Sequence, residues 1–264
     1  DLESGQALAD GYQASDTLID IENVVASDQD DAIAGNTSAN RIDGRAGDDA
    51  IVASAGSDTI DGGDGADTLD YSGLSNVNGV SVTLNGASAT LVDVDGGDND
   101  TISNIEHLVG SSGDDTLGGD VSANRLEALD GDDRFIASGG ADELLGGAGS
   151  DTLDYSTFSS ATSVSVVLQG ATVTTVTVAG SEDDRISEIE NLVGTAGDDS
   201  LTGDDQDNRL EGRAGDDTLD GGAGADTLLG GDGEDSLIAS EGADVSDGGA
   251  GLDTVDYSGL ASGQ

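Results

Sequence analysis

The side chains best placed to do chemistry in this sequence are carboxylates that recur every nine residues. From Gly194 the chain reads GTAGDDSLT, GDDQDNRLE, GRAGDDTLD, GGAGADTLL, GGDGEDSLI, ASEGADVSD and GGAGLDTVD, and the same frame fits residues 26–70 and 110–154, with five nonapeptides each. Position six is Asp at Asp31, Asp49, Asp58, Asp67, Asp115, Asp133, Asp142, Asp151, Asp199, Asp217, Asp226, Asp235, Asp244 and Asp253, and Asn at Asn40, Asn124 and Asn208. Position eight is apolar in every repeat but the one carrying Ser246. A glycine-rich half supplies positive-φ backbone and accessible carbonyls, and three residues around an apolar centre make a short strand with one inward side chain. Two such repeats form an 18-residue coil, and stacking coils about 4.8 Å apart sets each position-six Asp above the one eighteen residues later. Carboxylates so close repel unless a cation lies between them. The chain has no Cys and a single His, so the donors are hard oxygens, which select calcium over zinc or copper; magnesium fits less well because it keeps its waters. Pairing positions eighteen apart gives three candidate sites in each five-repeat block and five in the seven-repeat block, up to about eleven calcium ions.

The elements that must position these carboxylates are built from little apolar material. Of 264 residues 34% are hydrophobic and 2% aromatic, and 56 acids face 7 bases, all of them Arg, for a formal charge of -49. In water alone such a chain is expected to be disordered, because apolar burial cannot offset the ordering entropy. A cationic partner is therefore required. The charge excludes nucleic acid, which needs a basic footprint, and excludes anionic membranes likewise. No apolar run of about 18 residues suits membrane insertion, and Asp1 opens on acidic and small residues rather than a leader pattern. The absence of Cys rules out disulfides.

A longer repeat encloses the short one. IENVVASDQDDAIAG from Ile21, IEHLVGSSGDDTLGG from Ile105 and IENLVGTAGDDSLTG from Ile189 are spaced by 84 residues. The organisation is therefore a partial inter-roll segment at 1–25, a five-repeat block at 26–70, an inter-roll β segment at 71–109 and a second five-repeat block at 110–154. A further segment at 155–193, a seven-repeat block at 194–256 and the start of another segment at 257–264 complete it. Both ends fall inside such segments, which predicts a piece of a longer repetitive protein. Alternation in VSVTL from Val80, ATLVDV from Ala89, VSVVL from Val164 and VTTVTV from Val173 predicts half-buried strands around Asn-Gly and Gln-Gly turns. DTISNIEHLV from Asp100 and DRISEIENLV from Asp184 are each expected to form a third, extended element.

GGDGADTLD from Gly62, GGAGSDTLD from Gly146, GGAGADTLL and GGDGEDSLI resemble the calcium-binding nonapeptide of repeats-in-toxin (RTX) proteins. The resemblance implies an all-β fold of three parallel β-roll blocks, each a two-sheet solenoid, separated by short strand segments. It also implies calcium sites made from the carbonyls of positions two and four with the Asp of one repeat, completed by the carbonyls of positions one and three with the Asp eighteen residues on. One site would then use Arg213, Gly215 and Asp217 with Gly230, Asp232 and Asp235; its neighbour would use Thr195, Gly197, Asp199, Gly212, Ala214 and Asp217. Asn40, Asn124 and Asn208 offer no charge, so the sites they share with Asp58, Asp142 and Asp226 should be weak or empty. Arg41, Arg125 and Arg209 follow them, either pairing with acids where calcium is missing or standing in solvent. Ser246 and Ala239 should loosen the end of the third block, whose earlier glycine-rich edges should hold calcium most tightly.

Other chemistry is thin. His107 is expected to be structural, since Asn23 and Asn191 occupy its place in the related phrases. The expected function is non-enzymatic: a calcium-binding RTX segment of a bacterial protein secreted by a type I route to the exterior or cell surface, folding on calcium there. Its role would be a spacer in an adhesin or surface-layer protein, touching neighbouring units of the same long protein. The alternatives are the secretion and folding module of an extracellular protease, lipase or epimerase, and a module binding cell-surface polysaccharide.

Overall fold

The computed structural model describes residues 6–8, 15–17, 20–74, 77–158, 162–238 and 242–259. Two compact units are present, Asp1–Asp130 and Gly131–Gln264. In both, every described element is a strand; most are three residues long, and those within the nonapeptides include position eight.

In the first unit, one sheet stacks Ala32–Ala34, Ala50–Val52, Thr68–Asp70, His107–Val109 and Arg125–Asp130, all parallel. The opposing sheet runs Asn23–Val25, Arg41–Asp43, Thr59–Asp61, Asp100–Ser103, Thr90–Asp95, Gly79–Thr83 and Thr116–Gly118. Only Thr90–Asp95 is antiparallel to its neighbours there. The second unit repeats the plan. Arg134–Ile136, Thr152–Asp154, Asn191–Val193, Arg209–Ala214, Thr227–Gly233 and Val245–Gly251 are parallel. Opposite them lie Glu143–Ala148, Asp184–Ser187, antiparallel Thr174–Val178, then Val164–Val167, Ser200–Thr202, Thr218–Asp220, Ser236–Ile238 and Thr254–Asp256. Each unit is thus a two-sheet parallel β-solenoid. The register is eighteen residues, as in Leu210 paired with Leu228 and Leu219 with Leu237.

The position-eight side chains fill the space between the sheets. Ile42, Ile51, Ile60, Leu69, Leu126, Phe135, Leu153, Leu210, Leu219, Leu228 and Leu237 are buried, while their flanking residues, buried Asp154 apart, are exposed or half-buried. Burial of one such side chain contributes about 1.5–3 kcal/mol. Ser246 pairs with Leu228 but is exposed, as is Val255 in the last described coil. Ala239 lies outside the described residues.

The strands read from VSVTL, ATLVDV, VSVVL and VTTVTV are present, and the turns close by Ser88 N–H donating to Asn85 O (3.0 Å) and Thr172 N–H to Gln169 O (3.0 Å). They do not stand apart from the rolls. The hairpin joins one of the solenoid's own sheets, and the chain leaving His107–Val109 lands on the far side of Gly79–Thr83. DTISNIEHLV, expected as one extended element, is two strands in opposite sheets joined by the three-residue corner Asn104, Ile105 and Glu106. Asn104 adopts φ 51° and its counterpart Glu188 φ 57°, which breaks the strand, and buried Ile105 and Ile189 anchor the corners.

Candidate metal sites

Position six lies where each strand begins, so its backbone N–H points at the next coil. There a carboxylate receives it: Asp31 N–H donates to Asp49 Oδ1 (2.8 Å), Asp49 to Asp67 (2.8 Å), Asp199 to Asp217 (2.8 Å), Asp217 to Asp235 (2.9 Å) and Asp226 to Asp244 (3.1 Å). One oxygen of each receiving carboxylate is thereby used. The fate of the other divides the turns into two kinds.

In the first kind, position two is Ser or Thr and supplies the second hydrogen bond. Ser27 Oγ donates to Asp31 Oδ2 (2.9 Å), Ser54 Oγ to Asp58 Oδ2 (2.9 Å), Ser138 Oγ to Asp142 Oδ2 (2.7 Å) and Thr195 N–H to Asp199 Oδ2 (2.6 Å). Ser111 serves Asp115 likewise, through its N–H (2.7 Å) and hydroxyl (2.8 Å). The three Asn turns are satisfied in the same way. Asn36, Asp120 and Asp204 donate their N–H groups to Asn40, Asn124 and Asn208 Oδ1, each at 2.8 Å.

In the second kind, position two is Arg45, Gly63, Gly147, Arg213, Gly222 or Gly231, with φ of 76°, 112°, 114°, 83°, 87° and 119°. The carboxylates in these turns are Asp49, Asp67, Asp151, Asp217, Asp226 and Asp235, each buried, and the Oδ2 of each has no hydrogen-bond donor. Leaving a buried charged oxygen unpaired costs several kcal/mol unless something compensates it. Position one is Gly in these six, and a Cβ there would lie under 3.0 Å from that same Oδ2; in the turn of Asp133, where position two is the left-handed Leu129 (φ 85°), position one is Ala128 instead. At Gly44, Gly212 and Gly230 the Cβ would also meet the position-one carbonyl of the next coil, Gly62 O, Gly230 O and Gly248 O. An anionic oxygen and a carbonyl oxygen thus face one small space that no side chain fills. Among the described residues no three acidic or His side chains converge on one point, so a cation here would need carbonyls together with the stacked carboxylates. Hard oxygens of that kind suit calcium.

The electrostatics agree. Burial first, and then Asp199 and Asp235, push the Asp217 carboxyl up to about 7. Burial raises Asp67 and Asp151 to about 6, aided by Asp49 and Glu106 in one case and by Glu190 in the other. Asp49, Asp226 and Asp235 are raised chiefly by burial as well. Burial and neighbouring like charge thus oppose the ionised form in these turns, and a divalent cation would offset that cost.

Of the two sites inferred around Asp217, the structure brings Asp217 Oδ2 and Gly230 O together in the first, with Arg213 and Gly215 (φ 116°) left-handed and Asp232 O accepting Gly215 N–H (2.9 Å). In the second, Gly212 O faces the place of a Cβ on Gly194, but Thr195 already binds the Asp199 carboxylate. Gly197 N–H is held by Thr195 Oγ1 (3.0 Å), and Ala214 pairs with Asp232. Asp133 is buried, and Asp253 receives Asp235 N–H (3.2 Å). Arg125 and Arg209 pair on the outer face with Glu127 and Glu211, both at 2.8 Å. His107 Nδ1 accepts Arg125 N–H (3.1 Å), as Asn191 Oδ1 accepts Arg209 N–H (3.2 Å), which explains the exchange of His for Asn.

Four sets of residues with roles in the stack are not marked by position six of the nonapeptide. Position-five acids form an outer ladder in the opposite sense, with Asp48 N–H on Asp30 Oδ1 (3.0 Å) and Glu234 N–H on Asp216 Oδ1 (2.8 Å). Asp100 and Asp184 take the position-six role inside the inter-roll segments, receiving Asp58 and Asp142 N–H (2.8 and 3.1 Å). Buried Tyr71 and Tyr155 donate their hydroxyls to Oδ2 of these two acids (3.0 and 3.1 Å). Glu106 and Glu190 also take a position-six role, accepting the N–H of Asp67 and Asp151 at Oε2 (both 2.9 Å). The 84-residue recurrence of Tyr-Ser and of the IE phrase was the available signal.

The family comparison agrees with this geometry. The family model of the RTX calcium-binding nonapeptide repeat (4 copies) matches residues 25–57, 44–76, 118–153, 187–219 and 220–255, more than half of the chain. No curated protein sequence matches. Among solved structures, the extracellular lipase LipA from Serratia marcescens is similar at 17% identity and a TM-score of 0.28, over 68% of this chain and 39% of the lipase. The repeat frame, the stacked position-six carboxylates and the family match together show that the chain belongs to the RTX calcium-binding nonapeptide repeat family.

Proposed function

We propose that this chain is a non-enzymatic segment of a type I-secreted protein that stays unfolded where calcium is scarce, folds as it meets calcium outside the cell, and then serves as a spacer in an adhesin or surface-layer protein. The observation that carries the calcium part is the set of six buried, unpartnered carboxylate oxygens beside position-one glycines. Asp49, Asp67, Asp151, Asp217, Asp226 and Asp235 would hold the ions with backbone carbonyls, and calcium would supply the positive charge that an acidic chain lacks. The spacer part is supported by repetition of whole substructures at 84 residues: Tyr71 with Asp100 recurs as Tyr155 with Asp184, and Asp67 with Glu106 as Asp151 with Glu190.

Circular dichroism during a calcium titration, run in parallel with magnesium, tests this reading. Calcium at extracellular levels, about 0.1–1 mM, is expected to produce the β signal. Magnesium at the same concentration should leave the chain disordered, because it gives up its waters reluctantly. Complete folding in magnesium alone would overturn the reading.

A further inference from the structure

Where each inter-roll segment rejoins the solenoid, two edges must be closed without a nonapeptide partner eighteen residues on. One is closed by hydrogen bonds. Asp58 meets Asp100, whose second oxygen is taken by Tyr71, while Ser54 occupies the second oxygen of Asp58. Position one there is Ala53, itself buried, so a methyl group fills the place that glycine leaves open elsewhere. Asp142, Asp184, Tyr155, Ser138 and Ala137 repeat the arrangement.

The other edge is not closed in that way. Asp67 is fully buried, its N–H is held by Glu106 Oε2 (2.9 Å), and its Oδ2 has no donor. Position one is Gly62, and a Cβ there would collide with both Asp67 Oδ2 and Asn104 O. Glu106 occupies the position-six register, since His107 pairs with Thr68 and Leu108 with Leu69. The left-handed Asn104 therefore presents its carbonyl where the position-one carbonyl of a next repeat would stand. At the second junction, Asp151 Oδ2 is buried and unpartnered, Glu190 Oε2 holds Asp151 N–H (2.9 Å), and a Cβ on Gly146 would meet Asp151 Oδ2 and Glu188 O. The corner has three residues where a nonapeptide turn has six, and glutamate's extra methylene spans the shorter turn.

We propose that at two of the six open turns, these junctions, the calcium site is completed by the corner rather than by a nonapeptide, and is built from Asp67, Glu106 and Asn104 O in the first unit and from Asp151, Glu190 and Glu188 O in the second. Each joins the last nonapeptide of a block to the corner after its inter-roll segment, so a divalent cation pins the segment to the roll. Asn124 and Asn208 complete the device on the far face of the corner. Their Nδ2 groups donate to Glu106 O (3.1 Å) and Glu190 O (2.9 Å), so the coil after the junction is satisfied by an amide and needs no ion.

The proposal rests on the calcium reading above, and the test separates the two. Native mass spectrometry and calorimetry in saturating calcium count the ions bound by the full chain and by E106Q/E190Q, in which the amide oxygen can still accept the Asp67 and Asp151 N–H groups. The variant is expected to bind two ions fewer, one per junction, while the control Y71F/Y155F binds the full number. An unchanged count and affinity in E106Q/E190Q would overturn the junction sites and leave the repeat sites standing; a wild-type chain that binds no calcium would sink the underlying reading itself. Should the variant fail to fold, wild-type crystals grown in calcium decide the matter: density between Asp67 Oδ2 and Asn104 O supports the junction site, and its absence overturns it.

Discussion

Chelating calcium at neutral pH is expected to convert the whole chain from β-structure into an expanded coil with a radius of gyration of about 57 Å, measured by small-angle scattering. The size of this effect follows from charge and from the thin core. Two carboxylates stacked 4.8 Å apart repel by about 3.5 kcal/mol at an effective dielectric of about 20, and burial adds to the cost. An ion present at one hundred times its dissociation constant stabilises the fold by about 2.7 kcal/mol per site. Six open turns would then contribute about 16 kcal/mol, as much as the whole stability of an ordinary domain, about 5–15 kcal/mol. Position-eight side chains bury well but are few, and 2% aromatic content leaves no reserve. Retention of a compact particle in chelator would show that the repulsion is offset by something other than metal.

Acid is expected to act in opposite directions with and without calcium. In the metal-free fold Asp217 and Asp184 titrate at about 7, and Asp67, Asp100 and Asp151 at about 6, all above the ordinary carboxylate value of 3.8. The folded form therefore binds more protons than the unfolded form between roughly pH 4 and 7, and its stability falls as pH rises through that window. Lowering the pH of the chelated chain from 8 to about 4.5 should recover part of the β signal, because protons replace the cation at the open turns. With calcium present the same protons compete with the ion, so the calcium concentration at half-folding should rise as pH drops from 8 to 6. A half-folding concentration that does not move with pH would contradict the assignment of Asp217, Asp67 and Asp151 as metal-bearing carboxylates.

Much of this architecture was legible because two periods are written in the sequence. The nine-residue spacing of Leu and Ile at position eight sets the strands, and its doubling sets the eighteen-residue register seen in Leu192, Leu210 and Leu228. Alternation around Asn85 and Gln169 likewise gave the hairpins. The division of the turns into closed and open kinds was less legible, because it depends on whether position two holds a hydroxyl that can reach the carboxylate. Ser54 and Thr195 look like minor departures from glycine, yet each removes the unpaired oxygen that would attract a cation. Glu106 and Glu190 were hidden for another reason: the corner before them is three residues long, so they fall outside the nonapeptide frame while sharing its register in space. Tyr71 and Tyr155 gave no sign that their hydroxyls would be buried against Asp100 and Asp184, since those partners lie 29 residues away.

The central claim is that the open turns are calcium sites. A crystal structure of the chain grown in calcium tests it most directly, through the anomalous signal of the bound ions. The account predicts ions beside Oδ2 of Asp49, Asp217, Asp226 and Asp235, each also reached by carbonyl oxygens of the adjoining coil. A third block, residues 194–256, folded as described but free of ions would contradict it.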